Sequence, residues 1–278
     1  MKIAVTGASG HLGRLVLDAL KAKGVAPVAL ARDPGKLPAG VEARQADYDR
    51  PETLGSALEG VSTLLLISAS EVGRRVPQHL AVIEAAKSAG VRRVAYTSLL
   101  RAESSPISLA PEHRETEAAL RASGLGVTLL RNGWYFENHT GSLPAALAHG
   151  AVLGAAGAGR FSSAARADYA AAAAEALTGP GHEGATYELA GDAAFTLLDL
   201  AAALSRKAGR EIPYRDLPEA DYAAALEGAG LPGWLAGFLA GLDAAAPSGC
   251  YLDEGRALSR LIGRPTTTLD EAVAAALA

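Results

Sequence analysis

The sequence predicts an α/β fold in which helices cover both faces of a doubly wound parallel sheet. Short apolar segments alternate with segments of helical periodicity through the first half of the 278 residues. Such alternation implies right-handed crossovers between parallel strands. After Asn132 the pattern changes to longer helical stretches. We therefore expect a larger sheet domain formed by residues 1–133 and 186–191, interleaved with a smaller C-terminal lobe formed by residues 134–185 and 192–278.

The individual elements follow from the hydrophobic pattern and the turn residues. Segment 62–67 is almost continuously apolar, which is typical of a strand buried on both faces of a parallel sheet. Gly90 and Gly124 end two of the helices, and residues 195–278 are mostly helical. The predicted strands cover 3–5, 27–31, 41–45, 62–67, 93–97, 127–130 and 186–189, and the predicted helices after the first cover 51–58, 78–89, 112–122 and 167–177.

A glycine-rich turn joins the first strand to the first helix. Residues 5–13 read VTGASGHLG, so Gly7, Gly10 and Gly13 have the spacing G-x-x-G-x-x-G. In a Rossmann-like domain such glycines form the turn, let the backbone approach a pyrophosphate, and let the helix pack on the strand. The helix N-terminus then offers free N–H groups to the phosphates. An ordinary strand–helix turn that is rich in glycine is the alternative.

The end of the second strand favours NADP(H) over NAD(H). NAD-specific folds place a carboxylate near this point to bind the ribose hydroxyl, whereas an arginine accommodates a 2′-phosphate. Residues 28–32 contain no acid, and Arg32 is the first polar residue after the strand. The alternative is that Arg32 is a surface residue and that Asp33 binds the ribose.

Composition excludes several classes of function. A net charge of −4 and a pI of about 5.9 predict no general attraction to nucleic acid or to an anionic membrane. Cys250 is the single cysteine, which fits a reducing, cytoplasmic setting and permits no intrachain disulfide. No apolar run approaches the roughly 20 residues of a membrane helix. We expect no leader peptide and no metal site, because the six histidines lack ligand spacing.

The fold and the T-G-x-x-G-x-x-G start at Thr6 resemble the extended and atypical short-chain dehydrogenase/reductases, but the helix after the fifth strand lacks the Tyr-x-x-x-Lys pair that most of them carry. None of the eight tyrosines has a lysine four residues later. His113 and Glu117 have that spacing and share a helix face, so we expect Glu117 to favour the imidazolium of His113, against the effect of the helix N-terminus, and His113 would be the proton donor. In the alternative, His113 is a capping or packing residue.

The missing pair suggests which acceptors remain. Reduction of a ketone gives an alkoxide, whose conjugate acid has a pKa near that of water, about 15.7. Reduction of a quinone gives a phenolate, with a pKa near tyrosine's, about 10. This difference of about 5–6 pKa units lowers the free energy that a proton donor would have to contribute by roughly 7–8 kcal/mol. A quinone or a cationic dye therefore fits this site better than a ketone.

Ten stretches carry a resemblance to one family from residue 1 to about residue 273. The chain resembles the NmrA-like atypical short-chain dehydrogenase/reductases, and among them the bacterial NADPH-dependent quinone oxidoreductases of type 2, with the triphenylmethane dye reductases as near relatives. The stretches LLLISASEVG at 64–73 and LLRNGWYFEN at 129–138 are specific. The others are VTGASGHLG, RQADY, AYTSLL, APEHRETE, SLPAAL, ARADYA, YELAG and LIGRPTTTL.

The resemblance implies positions for the cofactor NADPH. Arg32 would hold its 2′-phosphate, and Asp47 and Tyr48 would lie beside its adenine. Ser68, Ala69 and Ser70 would border the nicotinamide ribose. The residues expected to hold the pyrophosphate are Gly7, Ser9, Gly10, His11 and Leu12.

The resemblance also implies that Asn132, Gly133, Trp134 and Tyr135 border the nicotinamide and the substrate. Asn132 and Tyr135 would orient the two reactants, with His113 as proton donor. In the alternative, the aromatic residues are core between the lobes, Asn132 is a turn residue and Arg166 is a solvated helix residue.

The function expected from these observations is direct hydride transfer from NADPH to a small-molecule quinone or related dye, without a flavin. The C-terminal lobe would then be the substrate lobe, and a homodimer is compatible with the sequence. The alternative function belongs to another class of protein. It is a sensor that binds NADP(H), catalyses nothing and regulates a partner protein.

Overall fold

The computed structural model describes residues 2–278 and contains the expected parallel sheet. Seven strands form it in the order β3-β2-β1-β4-β5-β6-β8, and every neighbouring pair is parallel. The order reverses next to β1, so the crossovers run outward in both directions from that strand. The strands are β1 (Ile3–Val5), β2 (Val28–Ala31), β3 (Glu42–Gln45), β4 (Thr63–Leu66), β5 (Arg93–Leu99), β6 (Gly126–Asn132) and β8 (Thr186–Leu189).

Helices cover both faces of this sheet, which confirms the doubly wound α/β fold. Helices α1 (His11–Ala22) and α7 (Arg166–Thr178) share one apolar core with the sheet. The other face is covered by α2 (Glu52–Ala57), α3 (Arg75–Ser88) and α4 (Ala110–Ala122). The central strands β1, β2 and β4 are three or four residues long, almost fully apolar and buried on both faces.

The smaller lobe has its own apolar core and a feature that the sequence did not predict. Strand β7 (Val152–Gly154) lies in the glycine-rich segment and pairs in parallel with β9 (Tyr214–Asp216). The remaining helices are α5 (Phe136–Thr140), α6 (Leu143–His149), α8 (Leu197–Ala208), α9 (Glu219–Gly228), α10 (Gly233–Ala244), α11 (Ala257–Ile262) and α12 (Leu269–Ala276), and all of them except α11 belong to the smaller lobe. No helix among residues 2–278 is long and apolar enough to cross a membrane.

One helix packs with a different domain from the one predicted. The alanine-rich helix α7 was assigned to the smaller lobe, within 134–185, but it packs against α1 over the large sheet. Alanines around most of its circumference are buried, so two layers can approach it closely. Helix α11 also packs against α7 and β8, so its segment of the C-terminal region belongs to this core as well.

Candidate cofactor and substrate site

A cleft of about 370 Å³ opens at the carboxyl edge of β1, β2 and β4. Open parallel sheets bind ligands at this edge, where the strand order reverses. Eleven of the residues predicted from the sequence line the cleft, together with neighbours that include Glu71 and Gln78. The eleven are Gly7, Ser9, Gly10, His11, Leu12, Arg32, Asp47, Tyr48, Ser68, Ala69 and Ser70.

The glycine-rich turn forms one wall of this cleft. Gly7 has φ +57°, a conformation that favours glycine, and its carbonyl accepts the N–H of Gly10. A Cβ on Gly13 would lie 2.3 Å from the carbonyl oxygen of Gly7, so only glycine lets α1 pack this closely. Helix α1 begins at His11 without a side-chain cap or an acid in its first turn. Its first N–H groups therefore suit an anion.

Arg32 lies beyond the end of β2 at the mouth of the cleft. Its side chain is 70% exposed, and Nη1 lies 3.4 Å from Oε1 of Glu71 across the opening. The neighbouring acid is used elsewhere, because Asp33 Oδ1 accepts the backbone N–H of Gly35 in a short turn. Asp33 does not line the cleft. The geometry therefore favours Arg32 over Asp33 as the residue that meets the ribose.

Side chains hold both backbone polar groups of Ala69 in the opposite wall. The Nε of Arg75 donates to the Ala69 carbonyl at 2.6 Å, and the Ala69 N–H donates to Nε2 of His79 at 2.9 Å. Since Nε2 accepts this bond, Nδ1 of neutral His79 carries the proton and donates to Oγ1 of Thr116 at 2.9 Å. Burial and the charge of Arg75 lower the pKa of His79 to about 3.

The side chains that hold Ala69 are themselves anchored to α4. Glu112 Oε1 accepts the backbone N–H groups of Gly73 and Arg75, each at 3.1 Å, and so fixes the start of α3. We call Arg75, His79 and Glu112 the Ala69 clamp. The sequence analysis missed all three, because their partners are backbone groups of a loop rather than ligand-type side chains.

Asn132, Trp134 and Tyr135 lie together where β6 ends, next to the cleft rather than among the residues that line it. Asn132 Nδ2 donates to the Tyr135 hydroxyl at 3.3 Å, while its buried Oδ1 has no partner among the described residues. The Trp134 ring packs at 5.0 Å from that of Tyr251 in the smaller lobe. The predicted substrate-side residues thus gather at the junction of the two lobes.

The expected pairing of His113 with Glu117 is wrong. His113 is 5% exposed, and its Nδ1 hydrogen-bonds the Tyr96 hydroxyl at 2.8 Å. Burial, followed by the charge of Arg75, lowers the pKa of His113 to about 3. The imidazole is therefore neutral near pH 7 and lies away from the cleft lining, so an imidazolium donor at this position has no structural support.

Glu117 instead forms a buried ion pair with Arg131 of β6. Its two oxygens accept from Nε and Nη2 of Arg131 at 2.9 and 2.6 Å, and Oε1 also accepts from Ser98. Arg131 donates further to Glu103 and Glu188, and its hydrogen bonds to Glu117 above all, then to Glu103 and Glu188, raise its pKa. The guanidinium of Arg131 forms two parallel hydrogen bonds to the Glu117 carboxylate, and this bidentate ion pair is stronger than the single hydrogen bond that His113 could form. The pair fixes β6 just before Asn132.

Comparison with known proteins gives similarity over the whole length of the chain. The family model described as NAD(P)H-binding matches residues 7–180. The chain is 55% identical to Quinone oxidoreductase 2 of Escherichia coli over 277 residues, which cover 98% of this chain and 97% of that protein.

Two solved structures are similar over both lobes. The crystal structure of NADPH-dependent quinone oxidoreductase QOR2 complexed with NADPH, from Escherichia coli, matches with a TM-score of 0.96 at 54% identity, covering 99% of this chain and 100% of that one. The triphenylmethane reductase of Citrobacter sp. complexed with NADP(H) matches with a TM-score of 0.94 at 37% identity, with the same coverage.

Proposed function

Because this chain belongs to the family of NAD(P)H-binding proteins, we propose that it is an NADPH-dependent quinone reductase that works without a flavin. The observation that carries the proposal is that this chain has other residues at the two positions where most short-chain dehydrogenases have their catalytic tyrosine and lysine. They hold His113 and Glu117, which are buried and bonded to Tyr96 and Arg131. Such a site suits acceptors whose reduced form is a weakly basic phenolate.

The residues of the cleft fit NADPH in charge and shape. The uncapped start of α1 and its three glycines suit a pyrophosphate, and Arg32 suits a 2′-phosphate. Ser68, Ala69 and Ser70 would border the nicotinamide ribose, with Asp47 and Tyr48 beside the adenine.

The chemistry requires less of a proton donor than ketone reduction does, and it depends strongly on position. Bound NADPH supplies the hydride, and Asn132 and Tyr135 would orient the quinone against the nicotinamide at the junction of the lobes. The unpartnered Oδ1 of Asn132 offers an acceptor for the carboxamide N–H groups of a nicotinamide.

The regulatory alternative has no support from the relatives named above, which are a quinone oxidoreductase and a triphenylmethane reductase. A cytoplasmic location stays a prediction based on the single cysteine. The homodimer also stays a prediction, and sedimentation would test it.

The proposal is tested by mixing the protein with NADPH and p-benzoquinone and following the loss of NADPH absorbance. We expect turnover from protein free of flavin. The Gly10→Val variant is the matched control, because it alters the glycine-rich turn that forms one wall of the cleft. A side chain at Gly10 begins 3.2 Å from the Gly7 carbonyl and should weaken NADPH binding at least about tenfold. Tight NADPH binding without oxidation by any quinone would overturn the proposal in favour of a sensor.

A further inference from the structure

The hydroxyl proton of Tyr135 has no acceptor among residues 2–278. Its oxygen accepts an N–H from Asn132, which leaves its own O–H free to donate. Nearby phenols differ, because Tyr169 donates to the Trp134 carbonyl and Tyr251 to the Leu242 carbonyl. Tyr135 is only half-buried, at the carboxyl edge of β6, so a ligand at the lobe junction can reach the hydroxyl.

Two groups around Tyr135 favour the loss of that proton. The guanidinium carbon of Arg166 lies 5.1 Å from the centre of the Tyr135 ring, and the N–H from Asn132 would stabilise a phenolate. Glu137, which accepts the Arg166 backbone N–H, opposes them, and burial raises the pKa of Tyr135 overall. Arg166 is thus not only the solvated helix residue that the sequence suggested.

We propose that Tyr135 is the proton donor to the reduced quinone, with Asn132 and Arg166 as positioning residues that stabilise its phenolate. The inference rests on the proposed function. After hydride addition, the O–H bond of Tyr135 breaks and a new O–H bond forms on the hydroquinone anion. The phenolate then takes a proton from water. The pair Tyr135–Arg166 supplies a phenol and a cation from β6 and α7, in place of the missing Tyr-x-x-x-Lys of α4.

The size of the effect depends on the basicity of the product. A hydroquinone anion has a conjugate acid with a pKa of about 10, like an ordinary tyrosine, and burial raises the pKa of Tyr135, so the transfer runs somewhat uphill. General acid catalysis typically contributes 10²–10⁴-fold, and we expect the lower end here, about 10²-fold. A cationic triphenylmethane dye becomes neutral when it accepts hydride and needs no proton.

The test compares Tyr135→Phe with the wild-type protein on p-benzoquinone and on such a dye. The phenylalanine keeps the ring that packs against Tyr169 and Arg166. The expected result is a loss of about 10²-fold with the quinone and less than about twofold with the dye. The calorimetric Kd for NADPH should stay within about twofold, because a general acid contributes to the reaction and not to cofactor binding.

Tyr187→Phe is the matched control. It removes another phenol, the Tyr187 hydroxyl in β8, which is bonded to His182 in the loop before that strand. Arg166→Met should lower only quinone reduction, and Arg166→Lys should restore part of it. A series of benzoquinones from chloro- to methyl-substituted should show a growing loss in Tyr135→Phe as the hydroquinone anion becomes more basic.

The outcomes separate the two proposals. If wild-type protein reduces neither acceptor, the proposed function fails. If it reduces the quinone and Tyr135→Phe keeps that rate, or loses quinone and dye reduction equally, only the role of Tyr135 fails. A changed NADPH Kd in Tyr135→Phe would equally overturn the donor role, since it would make the hydroxyl a cofactor-binding group. A flat response across the benzoquinone series would also overturn it.

Discussion

Replacing Arg32 with alanine should remove most of the preference for NADPH over NADH. The guanidinium extends from the end of β2 into the mouth of the cleft, where it can form charge-assisted bonds to a 2′-phosphate. Each such bond contributes about 1.5–3 kcal/mol, or roughly 10- to 100-fold. The side chain is 70% exposed and lies 3.4 Å from Glu71, so screening and competition place the expected loss near tenfold.

The assay is kcat/KM for NADPH and for NADH with one quinone, measured at low and high salt. Arg32→Ala should lower the NADPH value about tenfold and leave the NADH value nearly unchanged. Arg74→Ala is the matched control, because Arg74 is also an exposed arginine near Glu71 but does not line the cleft. The preference of the wild-type protein should shrink as salt rises, since exposed charges are screened.

Removal of the competing acid tests the same reasoning from the opposite direction. Glu71→Gln should strengthen NADPH binding a few-fold, because it frees Arg32 and removes a negative charge near the phosphate. Equal losses with NADPH and NADH in Arg32→Ala would give Arg32 a structural role and refute the assignment. An unchanged NADPH value would refute it as well.

Three further predictions concern buried groups. Gly13→Ala should lower both the melting temperature and NADPH affinity, because its Cβ would collide with the preceding turn; an unchanged melting curve would contradict this. Glu117→Gln should cost about 3–5 kcal/mol in urea unfolding, since its arginine partner would stay buried without full compensation, and a loss below about 1 kcal/mol would refute a stabilising pair. His79 and His113 have a lowered pKa, about 3, so their stability contribution is full above about pH 6.5 and is lost as pH falls. Between pH 6.5 and 5 these two histidines and His139, whose pKa is also lowered to about 3 by burial, should together remove roughly 5 kcal/mol, and Asp243, with its pKa raised to about 6, should return about 1 kcal/mol; equal urea midpoints at both pH values would contradict the low pKa values.

The sequence predicted the glycine-rich turn well because glycine spacing depends directly on backbone geometry. The positive φ of Gly7 and the close packing at Gly13 follow from the local chain, and β8 begins and ends at the residues that the sequence analysis gives for it. The ion pair of Glu117 with Arg131 could not be predicted from the sequence, because helical spacing shows which residues share a helix face and not which strand packs against that face. The placement of α7 was equally hidden, because a helix buried around most of its circumference has no amphipathic pattern to indicate its neighbour.

The Ala69 clamp has a consequence for the thermodynamics of ligand binding. A loop that is ordered by its ligand loses backbone entropy of about 1–2 kcal/mol per residue at the moment of association. Here Arg75 and His79 already fix the backbone of Ala69, so that loss occurs during folding instead. The cleft is preorganised at this wall, and variants that release the loop should bind NADPH with a more unfavourable entropy even where every direct contact is kept.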